Sequence, residues 1–380
     1  MDEDKRRLIT AISIIVGACI GAGFLGIPYV AAQAGFFIVL GYLLFFGAVI
    51  ILVNLYFGEV ILRTRGEHQL VGFAARYLGK KGKMVMFLFT NIAIFSALLA
   101  YMIGVGESFS FLIFGNAEYG TELGALFGFS MSVFLWRGMK SIKTLGKLGV
   151  AAIFLLFAMT IFTSYRNIEL ANLLYFNLQY TFLPFGVILF SLIEFYSLPE
   201  ARIILRHKEK LMKKAIIIGT ITPIIFYILF TLFVVGTHGE NTPEIATLAL
   251  GNIFVFIGIF SMFTSYLVVG NSLQQSYLHD MNNSKIKAWG KSAILPIIVF
   301  LFFQIFDFFS FISALFIGGV VAGGLIVILV LIITKKTETK GNRASEYKIK
   351  ISNTIIFIIA LIFLSGIIFE ALKFFGFVKF

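Results

Sequence analysis

Eleven long apolar stretches occupy nearly all of this 380-residue chain, at residues 8–33, 36–62, 84–114, 122–137, 145–165, 181–205, 212–237, 247–279, 289–305, 308–333 and 351–375. A membrane-spanning helix needs about 20 mostly apolar residues. Inside a bilayer each backbone N–H and C=O must find a partner within the protein, so only helices and closed barrels span. Continuous apolar runs of this length predict helices. Only 13% of the residues are charged, against about 25% in soluble domains, so the chain lacks the polar surface to coat a globule in water. The first stretch is too long for a signal-peptide core and has no small-residue cleavage site, so it is expected to stay in the protein. The single cysteine, Cys19, excludes an intramolecular disulfide and a cysteine-based zinc site. The four histidines fall in or beside polar connections, so no metal site and no cofactor is expected beyond a coupling ion.

The basic residues test this division. With the N-terminus inside, alternate connections place 28 of the 31 lysines and arginines on the inner side, leaving only Arg166, Lys373 and Lys379 outside. The positive-inside rule predicts that bias, and one missed or invented span would scramble it. The expectation is a multi-pass cell-membrane protein with a cytoplasmic N-terminus and an outer C-terminus. The net charge of +12 is spread over six short inner segments, so no nucleic-acid partner is expected and the bilayer is the obligatory surroundings. No protein partner is evident. The inner connection 63–83 contains HQLVGFAARYLG, mildly amphipathic and able to lie along the membrane surface.

Residues 17–29 read GACIGAGFLGIPY and contain a literal G-x-G-x-x-G. A dinucleotide-binding turn must follow a strand within a βαβ unit, whereas this one lies inside a continuous apolar span. Close helix packing explains the glycines but not Pro28. A broken helix explains both, because glycine permits unwinding and proline removes a backbone donor. Unwound backbone at membrane depth lines a cavity or is buried in protein. There, N–H groups at a half-helix N-terminus attract an anion and exposed carbonyls attract a cation. Span six carries a second copy: Phe195-Tyr196-Ser197-Leu198-Pro199 beside Phe24-Leu25-Gly26-Ile27-Pro28. The basic cluster precedes the first motif and follows the second, so the two run in opposite senses, five spans apart. An inverted 5+5 repeat predicts this, with the substrate site at the two breaks.

At these residues the sequence resembles the amino acid/auxin permease family of the amino acid–polyamine–organocation superfamily. GAGFLGIPYVAAQAG (21–35), HQLVGFAARYLGKKGK (68–83) and PFGVILFSLIEFYSLPEA (184–201) carry the resemblance, whose order and spacing extend over essentially the whole chain. It implies an all-α, LeuT-type fold: a first repeat in residues 1–165, a second in 166–333, and a cytoplasmic loop with an eleventh helix in 334–380. It implies an amino-acid substrate, its carboxylate held by the backbone of Gly21, Ala22, Gly23 and Phe24. Backbone from Ser191 to Phe195 would take the amino group, and Tyr101 and Phe195 would close over the side chain. Hydroxyls of Thr264 and Ser265 with carbonyls of Gly17 and Ile20 would form a sodium site; the bland alternative is a serine or threonine bonded within its own helix. Sodium-coupled relatives often carry asparagine where this chain has Gly17.

Ionisable residues inside spans are expensive and mostly functional. Glu59 has Arg63 in reach and reads as structural. Glu107 and Glu370 lie toward outer ends, Asp307 at a turn, Glu200 at an interface, and Lys147 close enough to the inner end to snorkel. Glu194 falls in the proposed break of span six, near mid-membrane. It is either a proton-coupling group or counter-charge for the substrate amine, or a hydrogen-bonded glutamic acid that plugs backbone donors.

The function these features point to is cation-coupled (H⁺ or Na⁺) import of amino acids by alternating access; the alternative is a transporter-like sensor that binds without transporting. A channel needs rings of charges or carbonyls about a pore, and none is evident. The chain has no H-E-x-x-H, paired intramembrane aspartates, G-x-S-x-G or Walker A motif, so neither an enzyme nor an ATP-driven pump is expected.

Overall fold

A computed structural model describes the backbone of residues 3–137, 142–306 and 308–374. Asp307, and the side chains of Lys140, Lys143, Lys147, His279, Glu370, Lys373 and Lys379, lie outside the described residues. Each of the eleven predicted stretches is helical. The first is two helices, α1 (Glu3–Cys19) and α2 (Gly23–Ala34), bent by 52° about residues 20–22. Then come α3 (Phe36–Arg63), α4 (Leu70–Phe114), α5 (Gly120–Arg137) and α6 (Ile142–Ser164). After the short helix α7 (Leu170–Leu174), span six is again two pieces, α8 (Leu183–Leu192) and α9 (Leu198–Ile204). Span seven is α10 (Met212–His238), and the four-residue α11 (Thr247–Leu250) leads into α12 (Asn252–Gln275). Span nine is α13 (Lys285–Trp289) and α14 (Leu295–Ile305), joined by a π-helical turn at 290–294. Span ten is α15 (Phe311–Ile317) and α16 (Gly324–Lys340), joined by another at 318–323, and α17 (Asn353–Phe374) completes the described chain. Among the described residues six single helices are long and apolar enough to cross a membrane, and the bent pair α1–α2 makes a seventh.

The two broken spans define the centre. The first half of span one, α1, packs against α9, and its second half, α2, packs against α8. First half meets second half, which is how two antiparallel broken helices cross. Pro199 stands in the first turn of α9, where its missing N–H costs nothing but the helix cannot continue backward through it. Around this pair, α10 packs on α1, α2 and α3, while α4 gathers α5, α12, α15 and α16.

The segment 70–78 is helical, but its apolar side chains do not face lipid. Leu70, Phe73, Ala74 and Tyr77 are buried in protein, and Phe73 meets Phe57 of α3 edge-on at 5.4 Å. The helix then turns at Gly79, whose φ of 75° marks the break from the membrane-spanning part of α4. The loop after α16 is pinned beneath α3. Tyr347 donates to the Leu55 carbonyl (2.7 Å), the Ile349 amide donates to Glu59 Oε2 (2.8 Å), and Arg343 donates to the Leu62 carbonyl (2.8 Å). Glu59 also accepts from Arg63 Nε at 2.7 Å, the structural role its spacing predicts. Burial, and then the Glu59 carboxylate, push the Tyr347 phenol above its ordinary range, so it stays a donor at any physiological pH.

Candidate functional site

Helix α1 ends because the Gly21 amide turns to the Cys19 carbonyl (3.0 Å) rather than continuing to Gly17. The Gly17 carbonyl is thereby left among the orphan acceptors at a helix C-terminus. Helix α2 begins at Gly23 with no side-chain cap; the Leu25 amide donates to the Ala22 carbonyl (3.0 Å), and the earlier N–H groups of that turn lie where the dipole is positive. Gly23 is forced by its neighbour: a Cβ there would strike the Ser191 hydroxyl and come within 3.0 Å of the Ser191 Cα. The breaks of spans one and six thus meet at Gly23 and Ser191. The Ser191 hydroxyl donates to the Val187 carbonyl of its own helix (2.7 Å).

Three polar side chains that the sequence motifs do not mark hold the breaks together. The Tyr227 hydroxyl of α10 lies 2.9 Å from both the Cys19 and the Ser191 carbonyls, one on each broken span. The Cys19 thiol donates to the Ser191 carbonyl at 3.1 Å. Since a phenol has one proton, these distances fit Tyr227 donating to Cys19 while the thiol serves Ser191. Asn54 of α3 and Thr220 of α10 both donate to Glu194 Oε1, at 2.7 and 2.8 Å. Glu194 is fully buried, and its Oε2 has no hydrogen-bond partner among the described residues. A mid-span asparagine, threonine and tyrosine are costly in lipid; that cost is the signal by which a sequence reading finds them.

The expected aromatic wall is divided. Tyr101 faces the first break: a Cβ on Gly21 would lie 2.7 Å from its hydroxyl and 3.9 Å from that of Ser265. The Phe195 ring instead turns toward Phe57 (6.3 Å), while the Tyr196 hydroxyl donates to the Ile193 carbonyl (3.2 Å) in the break of span six. Phe24 packs edge-on between Phe226 (5.4 Å) and Phe230 (5.3 Å), so only its backbone faces the break. Of the expected cation ligands, Ser265 borders Gly21. Thr264 gives its hydroxyl to the Ser261 carbonyl (2.9 Å) within its own helix.

Comparison with known proteins adds to this geometry. Residues 4–370 match the tryptophan/tyrosine permease family, a different family name from the amino acid/auxin permeases that the motifs resemble. Glutamine transporter 2 of Aliivibrio fischeri is 24% identical over 314 residues, covering 77% of this chain and 80% of the relative. Tyrosine-specific transport system 1 of Haemophilus influenzae is 23% identical over 241 residues, covering 63% and 59%. The crystal structure of MhsT in complex with L-phenylalanine superposes with a TM-score of 0.70 at 14% identity, over 95% of this chain and 98% of that one. At that identity the likeness is one of fold, and the fold is LeuT-type.

Proposed function

The chain belongs to the tryptophan/tyrosine permease family, and on that premise we propose that it imports an amino acid by alternating access, driven by a cation gradient. The observation that carries the reading is the meeting of the two breaks at Gly23 and Ser191, with an uncapped helix start on one side. The substrate carboxylate binds the amides of Ala22, Gly23 and Phe24, at the positive end of α2, the Gly21 amide being held by the Cys19 carbonyl. The ammonium turns to the carbonyl-rich end of α8, around Ser191 and Ile193, and Tyr101 with Tyr196 walls the side chain. The relatives' names, glutamine and tyrosine transporters, support an amino-acid substrate without choosing among side chains. The N-terminus lies inside, on the basic side.

Glu194 is the coupling group: a buried carboxyl in the break of span six, held by Asn54 and Thr220. Its protonation state alters the charge beside the substrate and so biases the equilibrium between outward- and inward-open forms. Where the coupling ion is sodium, the oxygen ligands are the Gly17 and Ile20 carbonyls with the Ser265 hydroxyl, and Thr264 joins them by releasing Ser261. Hard oxygen ligands suit that ion.

The test is uptake of a labelled amino-acid mixture into proteoliposomes containing the purified protein, under an inside-alkaline gradient and separately under an inward sodium gradient. Accumulation under one gradient alone is the expected result and identifies the ion. Binding without accumulation under either gradient overturns import in favour of sensing.

A further inference from the structure

A cleft of about 400 Å³ opens on the face that carries the basic connections, between the end of α3, the 64–69 connection, the start of α4, and α9 with the residues after it. That size lies within the roughly 300–1,000 Å³ of small-molecule sites. It is separate from the breaks: Phe195 at the break of span six touches Phe57, Phe57 touches Phe73, and Phe73 lines the cleft. Its charged lining is Arg202, Arg206, Glu67 and Glu209, which sum to zero.

Arg202 is fixed by Nη1 on the Thr64 and Gly66 carbonyls, at 3.0 and 3.1 Å. Its other N–H groups make no hydrogen bond among the described residues. Arg206 is exposed and makes no ion pair among the described contacts. His68 Nε2 is buried with no partner, its ring edge-on to Phe73 at 5.5 Å. Glu209 is turned toward Arg343 at 3.7 Å, so Glu67 is the carboxylate left for the cleft. A simple anion leaves Glu67 without a counter-charge, and a simple cation meets the two guanidiniums. A zwitterion satisfies both, and Phe73, Pro199 and Ile203 offer it an apolar wall.

We propose that this cleft is a second amino-acid site, taking the zwitterion of an amino acid with an apolar side chain. Its carboxylate lies on Arg202, Arg206 and His68, its ammonium on Glu67, and its side chain on Phe73 and Pro199. This rests on the amino-acid reading of the breaks. Pro199 and Arg202 belong to α9, the inner half of span six, so an occupant ties that half-helix to the 66–69 connection. The site therefore reports amino acid on the basic face to the helix that carries the break.

The test is binding stoichiometry on the full-length purified protein, with each of the twenty labelled L-amino acids in turn by equilibrium dialysis. The expected result is two molecules per chain for at least one apolar amino acid. Arg206→Gln, and separately Glu67→Gln at an exposed position that does not disturb folding, weaken the second site by about tenfold or more and leave the first unchanged. One molecule per chain, unaffected by either substitution, overturns the cleft and spares the import reading. No binding of any amino acid overturns both. One amino acid per chain, with phosphatidylglycerol retained by mass spectrometry and lost in Arg206→Gln, gives the cleft to a lipid phosphate and overturns the proposal.

Discussion

At the residue scale, the centre of the molecule is organised by a few groups that a bilayer protein buries only at a cost. Glu194 receives two hydrogen bonds on one oxygen and none on the other. A buried acid with that asymmetry is suited to gaining and losing a proton, because one oxygen stays anchored in both states. Glu194→Gln keeps the shape and a carbonyl for Asn54 and Thr220 but cannot ionise. Uptake by this variant is expected to lose its pH dependence, measured as initial rate against external pH; an unaltered profile removes Glu194 from coupling. Tyr227→Phe deletes one hydroxyl shared by the Cys19 and Ser191 carbonyls. With the buried acceptor left unpaired, the cost is about 1–3 kcal/mol, and substrate affinity is expected to fall roughly tenfold in a binding titration while the protein still folds. Gly23→Ala drives a methyl group into Ser191, so uptake is expected to be nearly abolished. Here the serine backbone as well as its hydroxyl is in the way, so a bulkier residue at 23 is expected to harm folding too.

At the element scale, helices are interrupted where sequence demands it and packing tolerates it. Span one breaks at Gly21-Ala22-Gly23, span six ahead of Pro199, and α4 at Gly79. The last break serves packing: it lets residues 70–78 fold back so that Phe73 and Tyr77 are covered by protein. Nothing lies within 4 Å of a Cβ placed on Gly79, so the cost of a side chain there is conformational. Gly79→Ala is expected to destabilise the protein by about 1 kcal/mol, visible as a lower midpoint in thermal unfolding of the detergent-solubilised protein. A midpoint unchanged or raised means the turn relaxes without strain.

At the scale of the whole molecule, the question is which face is inside. Cys19 is the sole cysteine and is buried between the two broken spans, so the native protein provides a silent background for thiol labelling. Glu118→Cys and Lys210→Cys place thiols at exposed positions on opposite faces. In intact cells a membrane-impermeant maleimide is expected to label the first and not the second, and to label both after permeabilisation. The reverse pattern inverts the proposed orientation, and with it the sense of transport.

How much of this was legible in the chain itself follows from what each feature depends on. Spans, breaks and the opposed repeat are local properties: hydropathy over about 20 residues, glycine and proline at particular positions, basic residues between spans. The sequence by itself determined those, and Glu194 stood out because a carboxylate at mid-span is conspicuous wherever it packs. Which side chains meet across sequence separations of 26 to 208 was decided only by the tertiary structure. Asn54, Thr220 and Tyr227 came to the breaks, the Phe195 ring turned toward Phe57, and the 70–78 segment found protein rather than lipid. In lipid the apolar effect does not choose between one helix partner and another, so van der Waals fit and a few buried hydrogen bonds decide the arrangement. Those terms depend on the placement of whole helices, and no single stretch of chain contains them.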